Sequence, residues 1–220
     1  MVDLKILAQH LIDGHDADVA QLTKQALDEG RAPADILEQG LIAGMQVVGE
    51  RFRDNIIFVP EVLIAARAMK AGLAHLEPVL AACGIEPVGT FVIGTVKGDI
   101  HDIGKNLVGM MLRGAGFRVI DLGVNTPLAK FQTAIEEHRP EIVGMSALLT
   151  TTMGQMKVNI EAFRAAGLLD QMRVMVGGAA VSEDFAATIG AHAHGKDAPA
   201  AVTKALKLLA EVKALRSRGG

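Results

Sequence analysis

The period of the hydrophobic pattern changes near residue 88, and this change limits the possible folds more than any other feature of the chain. Beyond it, short apolar runs alternate with stretches of helical spacing. VGTFVIGTV precedes a helix near 102–115, and FRVIDLG precedes one near 127–138. EIVGMSALL leads into a helix near 152–166, and MRVMVGG into one near 182–189. A weak last strand around Ala191 is followed by a helix from about 197 to 216. Strands of this length separated by helices make βαβ units, hence a parallel sheet with both faces covered.

Residues 1 to about 83 follow a helical pattern throughout. Asp16 can cap a helix with Val19, Leu22, Ala26 and Leu27 on one side, and Gly30 ends it. Pro33 suits the first turn of the next helix, where Ile36, Leu37, Leu41, Met45 and Val48 recur. A further helix begins near Pro60 and runs through Val62, Leu63, Ala66, Met69, Leu73 and Leu76. With a short N-terminal segment these make about four helices, a small bundle. LEPVLAACGIEPVG, with Pro78, Gly84 and Pro87, reads as a linker, so the expected domains are 1–87 and 88–220. The expected class is α/β: a four-helix bundle followed by a flavodoxin-like, Rossmann-type five-stranded parallel sheet. Such sheets bind ligands beyond the carboxyl ends of their strands.

Composition removes several functions. A net charge of −3, scattered over 220 residues, gives no electrostatic footprint for nucleic acid or an anionic membrane. Seven Phe with no Trp or Tyr leave little for stacking on bases or sugars. Apolar stretches break well short of the ~20 residues that span a bilayer. The start, MVDLKILAQHLIDGHD, lacks the basic region and cleavage site of a signal peptide. A single Cys83 excludes an internal disulfide and fits a reducing, cytoplasmic setting.

The chemistry-bearing residues follow the strands. After the first comes Lys97-Gly98-Asp99-Ile100-His101-Asp102-Ile103-Gly104; after the third, Ser146-Ala147-Leu148-Leu149-Thr150-Thr151-Thr152; after the fourth, Gly177-Gly178. Each has an ordinary explanation. Asp99 or Asp102 can cap the next helix, His101 can be a solvated loop residue, the hydroxyls can satisfy a turn, and the glycines can permit one. Convergence on one rim of such a sheet argues for more. A carboxylate on one imidazole nitrogen fixes the tautomer and raises the basicity of the other. Asp-x-His alone cannot close a zinc site, which wants three or four protein ligands. No second His or Cys stands nearby in sequence, and His192 and His194 read as solvated loop residues. His101 therefore looks like a single ligand to a metal whose other positions a cofactor already fills.

Asp99-x-His101-x-x-Gly104, with Ser146-x-Leu148 and Gly177-Gly178, resembles the signature of cobalamin-binding domains of the methionine synthase type. Upstream, MQVVGERFRDNIIFVPEVLIAARAMKAGLAHLEPVL resembles the helical cap that covers the methyl face of the corrinoid. Nearly the whole chain is similar to the corrinoid proteins of methanol, methylamine and aryl-ether methyltransferase systems. The resemblance implies a cobalamin or related corrinoid held base-off/His-on, with its tail buried in the protein. It implies His101 as the lower axial cobalt ligand, Asp99 as its carboxylate partner and Thr152 as the relay hydroxyl, where methionine synthase has serine. Asp102, Ile103, Gly104, Ser146, Leu148, Thr150, Gly177 and Gly178 are then expected at the corrinoid and its nucleotide tail. Phe58 and Val62 of the cap are expected near the methyl face. Related proteins often read Gly-Ala-Asp near the last strand, where this chain has Gly190-Ala191-His192.

The chain has no room for a barrel of ~250 residues to bind a methyl donor or acceptor. The resemblance therefore implies a carrier, not by itself a complete enzyme. It would shuttle methyl groups on cobalt between a donor-specific methyltransferase and an acceptor methyltransferase acting on tetrahydrofolate or a thiol. A reductive activator of Co(II) would serve it, and a hinge is expected near Gly84–Gly89. A cobalamin-dependent sensor would use the same fold, but normally with a basic DNA-binding module. A mutase subunit would lack the first 83 residues, and a nucleotide-binding or phosphoacceptor domain would bind no corrinoid.

Overall fold

A computed structural model describes residues 1–218. The chain divides into two compact units, Met1–Pro87 with Arg113–Gly116, and the remainder from Val88 onward. The first unit is all helix: α1 (Leu4–Ile12), α2 (Asp16–Asp28), α3 (Pro33–Asp35), a π-helical stretch Ile36–Ile42, α4 (Ala43–Arg53) and α5 (Val59–Ala82). Leu7, Leu11, Val19, Ile36, Leu41, Val48, Val62 and Leu76 have no exposed surface, or almost none, and form its core. Their spacing of three and four places them on the inward stripe of each helix.

Two details of this unit differ from the sequence reading. The cap position of α2 is His15, with Asp16 already helical and accepting from the Ala17 N–H at 2.9 Å. An acidic residue in the first turn still complements the helix dipole, so the assignment is one residue out. Pro78 does not begin a linker but lies inside α5. Its missing N–H would have served the Ala74 carbonyl; both residues are exposed, so water can satisfy that carbonyl, while Leu76 and Leu80 keep the helix packed.

The second unit alternates strand and helix. Its strands are β1 (Thr90–Thr95), β2 (Arg118–Asp121), β3 (Ile142–Ser146), β4 (Arg173–Gly177) and β5 (Ala193–Gly195). Its helices are α6 (Ile103–Gly114), α7 (Leu128–His138), α8 (Thr150–Ala165), α9 (Glu183–Thr188) and α10 (Ala198–Arg218). All pairings are parallel, in the order β2-β1-β3-β4-β5. The order reverses between β1 and β3, where Thr95 pairs with Ser146, and this is the switch point at which such sheets bind ligands. The last strand lies two residues beyond its expected place at Ala191, because β5 is only three residues long and gives a faint pattern.

Valines 92, 143, 174 and 176 are buried together with Phe131, Met156, Ile160 and Phe163. The Phe131 and Phe163 rings meet edge to face with centroids 6.5 Å apart. On the edge strand, the Lys105 ammonium of α6 is buried and lies 2.6 Å from Asp121 Oδ2. A buried cation needs such a partner, and the pair ties α6 to β2. Among the described residues no helix is long and apolar enough to cross a membrane.

Candidate functional site

The loop after β1 is held from several directions. Gly98 takes a positive φ of 85° and donates its N–H to Asn125 Oδ1 at 2.8 Å. Asn125 N–H donates to the Asp99 carbonyl at 2.8 Å, and the buried Thr95 hydroxyl donates to the His101 carbonyl at 2.8 Å. The loop cannot drift, so the Asp99 side chain points inward beneath the rim. It has no exposed surface, whereas the His101 side chain is 46% exposed.

Both Asp99 oxygens are saturated with donors. Oδ1 lies 2.7 Å from His101 Nδ1 and accepts the His101 backbone N–H at 3.1 Å. Oδ2 accepts the Thr152 hydroxyl at 2.7 Å, the Leu148 N–H at 2.8 Å and the Leu149 N–H at 3.3 Å. Burial by itself pushes the Asp99 carboxyl up. The Thr152 hydroxyl, the backbone and ring of His101 and the Leu148 N–H together outweigh that and hold it well below the usual carboxylate range. An ionised Asp99 accepts from Nδ1–H, which leaves the lone pair of His101 on Nε2. Thr152 Oγ1 also lies 2.9 Å from the Leu149 carbonyl, so its one hydrogen has two acceptors within reach.

Of the residues singled out from sequence, Asp99, His101 and Thr152 come together at the switch point through these bonds. Asp102 ends the loop: its carbonyl accepts the Asn106 N–H at 2.7 Å and its carboxylate accepts Asn106 Nδ2 at 3.0 Å. Ile103 and Gly104 open α6, both exposed, and a Cβ at Gly104 would meet nothing within 4 Å. Ser146 is the last residue of β3, Leu148 is 41% exposed, and Thr150 is exposed at the start of α8. Gly178, with φ of 115°, crosses so close that a Cβ would sit 2.1 Å from the Ala147 carbonyl oxygen. Only glycine fits there, and the approach joins the loop after β4 to the loop after β3. Phe58 and Val62 belong to the helical unit. Phe58 caps α5, exposed, with its N–H donated to Glu61 at 3.0 Å, and Val62 is fully buried.

His192 is an exposed residue of the bend before β5, as expected, whereas His194 is not a solvated loop residue. His192 Nδ1 accepts the Val174 N–H at 3.0 Å, and the His192 N–H donates to the Val174 carbonyl at 2.8 Å. Burial, with the Arg173 charge, lowers the His192 pKa, so the ring stays neutral as an acceptor. His194 is buried in β5 with Nε2 unpartnered. The sheet's last strand, which sequence placed too early, is what buries His194.

Sequence reasoning missed Leu149, whose contribution is a backbone N–H, and Asn125, which lies 27 residues from the glycine it holds. It also missed an apolar rim: Ile100 and Ile103 are 73% and 78% exposed on either side of His101. A single imidazole nitrogen, backed by a buried carboxylate and ringed by exposed aliphatic groups, suits a metal that arrives inside a large, partly apolar cofactor. It does not suit a bare ion: among the described residues His101 belongs to no group of three converging ligands.

Comparisons with known proteins agree with this geometry. Residues 89–203 match the family model described as B12 binding domain, and residues 4–77 match a second model with the same description. A corrinoid protein of Desulfitobacterium hafniense is 43% identical over 206 residues, covering 92% of this chain and 95% of the relative. Trimethylamine corrinoid protein 1 of Methanosarcina acetivorans is 42% identical, with the same coverage of 92% and 95%. Among solved structures, the methanol:cobalamin methyltransferase complex of Methanosarcina barkeri superposes with a TM-score of 0.85 at 30% identity, covering 96% of this chain and 82% of that one. A cobalamin-binding protein from Desulfitobacterium hafniense gives 0.77 at 29% identity, covering 94% and 99%.

Proposed function

The chain belongs to the B12-binding family, among the corrinoid proteins of methyltransferase systems, and from that premise we propose that it is a methyl carrier holding a corrinoid through His101. The observation that carries this reading is the bonded series Thr152–Asp99–His101, which ends in one free imidazole nitrogen at the switch point of the sheet. Bound there, the cobalt supplies the methyl-accepting and methyl-releasing chemistry, which the protein tunes.

The residues divide the work. His101 Nε2 would hold the cobalt of a base-off/His-on corrinoid. Asp99 keeps Nδ1 protonated and so raises the donor strength of Nε2. Thr152, through its hydroxyl, helps to keep Asp99 ionised. Gly104 supports a ligand in its own way: nothing in the chain fills the space beside it, so a corrinoid can lie against bare backbone. Asp102, Ile103, Ser146, Leu148, Thr150, Gly177 and Gly178 would line that rim and the tail beyond it, whereas Val62, with no exposed surface inside the helical unit, is not available to a ligand. The name of the trimethylamine relative supports a methylamine-type donor system. A donor-specific methyltransferase, an acceptor methyltransferase and a reductive activator are the expected partners.

The test is the visible spectrum after incubation with hydroxocobalamin and desalting, for wild type and His101→Ala. The chain has no Trp or Tyr, so bound corrinoid dominates the absorbance. Retained cofactor whose bands shift in the variant supports the axial role. Identical spectra remove His101 from cobalt, and failure to retain cofactor removes the carrier reading. Retention without methyl exchange in either direction would leave a binding module instead.

A further inference from the structure

Far along the chain from the strand tips, a second group of imidazoles and a carboxylate meets at the turn between α1 and α2. The turn is built so that the meeting cannot be avoided. Gly14, with φ of 77°, sits just past the end of α1; its N–H donates to the Leu11 carbonyl at 3.0 Å, and the His15 N–H donates to the His10 carbonyl at 2.9 Å. This paired-bond stop brings the third-last helical residue, His10, against the residue after the glycine, His15. Asp18 then lies three residues on, one turn into α2 and on the same face as His15. The turn is also packed tightly, since a Cβ on Gly14 would sit 2.0 Å from Ile64 Cγ2 of α5.

The ligand atoms converge. His10 Nδ1 is 3.3 Å from His15 Nδ1 and 3.2 Å from Asp18 Oδ2, and His15 Nδ1 is 3.9 Å from the same oxygen. A point equidistant from the three lies about 2 Å from each, which is the bond length of zinc to imidazole nitrogen and carboxylate oxygen. Hydrogen bonding alone uses the group poorly, because one hydrogen on His10 Nδ1 must be shared between two acceptors. A cation takes a lone pair from all three. The side chains are 33%, 57% and 52% exposed, so the cation has an open approach and water completes its shell. Among the described residues no other three ligand-bearing side chains converge in this way.

We propose that His10, His15 and Asp18 form a binding site for a divalent cation of the zinc class, which staples α1 to α2. Two imidazoles and one carboxylate suit zinc and its transition-metal neighbours, whereas magnesium and calcium prefer all-oxygen shells. The site is separate from His101 and does not depend on the corrinoid reading.

The test uses the full chain, in a Cys83→Ser background because that exposed thiol is a competing zinc ligand. After chelator treatment, Zn²⁺ alone is titrated by calorimetry and the melting temperature is followed. One ion per chain and a raised melting temperature are expected, with excess Mg²⁺ failing to compete. His10→Ala and the isosteric Asp18→Asn should each weaken binding at least about tenfold while helix content is unchanged. Absence of stoichiometric binding, or binding by both variants as tight as that of the parent protein, overturns the site. Loss of zinc in His101→Ala instead would move the ion to the strand tips and also overturn it.

Discussion

The strand-tip loop and the α1–α2 turn use the same residue types for opposite ends. At the strand tip the carboxylate is buried and the imidazole half-exposed; at the turn, carboxylate and both imidazoles face solvent. Buried Asp99 is locked by a hydroxyl, a ring and backbone N–H groups, and all its bonding is spent inside the protein. What remains for a ligand is one nitrogen whose strength the carboxylate sets. At the turn nothing is spent inward, and three ligand atoms point at one place. One arrangement suits a metal that brings its own equatorial ligands, the other a bare cation. Burial of the carboxylate, more than the presence of histidine, separates the two.

The contrast can be broken most forcefully at Asp99. Asp99→Ala leaves the Thr152 hydroxyl and the N–H groups of His101 and Leu148 facing an empty, buried position. A loss of about 3–5 kcal/mol is expected in urea unfolding followed by far-ultraviolet circular dichroism. A loss below about 1 kcal/mol would mean that the burial of this carboxylate organises nothing.

Acid sharpens the same point with a smaller effect. The folded Asp99 pKa is depressed, so the unfolded chain binds the proton more readily. The stability Asp99 contributes is therefore fully present above the unfolded value near ~4, and is lost as pH falls through the folded pKa. Thr152→Val removes the strongest bond holding that pKa down, so the acid-dependent loss should be smaller and level off at a higher pH, and Thr152→Ser should restore the wild-type profile. Superimposable profiles for all three proteins would sever Thr152 from the carboxylate.

The smallest effect belongs to the turn. In metal-free protein His10→Ala should change stability by no more than about 0.5 kcal/mol, since partly exposed side chains with no ion to hold contribute little. A cost of several times that, measured in the same urea titration, would show a structural role for the ring and weaken the contrast with Asp99.

Much of this was legible before any coordinates. The switch from helical period to short apolar runs marked all five strands in order, and the motif after β1 pointed to an imidazole backed by a carboxylate. Those signals are local: a side-chain period reports which face is buried, and Asp-x-His is short enough to be read in one loop. Where a local signal was weak or ambiguous, the reading slipped. Pro78 looked like a break because proline usually is one, but its freed carbonyl partner faces water and the flanking leucines hold the helix. A three-residue β5 left too little pattern to place His194.

By itself, then, the sequence determined the class of fold, the order of its elements and the residue types at the strand tips, because these follow from backbone period and local chemistry. Only the tertiary structure decided which donors close on Asp99. The Leu148 and Leu149 N–H groups lie 49 and 50 residues from it in the chain, and Thr152 lies 53 away. Their meeting depends on β1 and β3 pairing in register from Phe91 with Ile142 to Thr95 with Ser146. Backbone N–H groups carry no signature in a sequence, and long-range register is set by the packing of the whole sheet. The depth at which a carboxylate is buried is therefore a property of the assembled core and not of the motif that contains it.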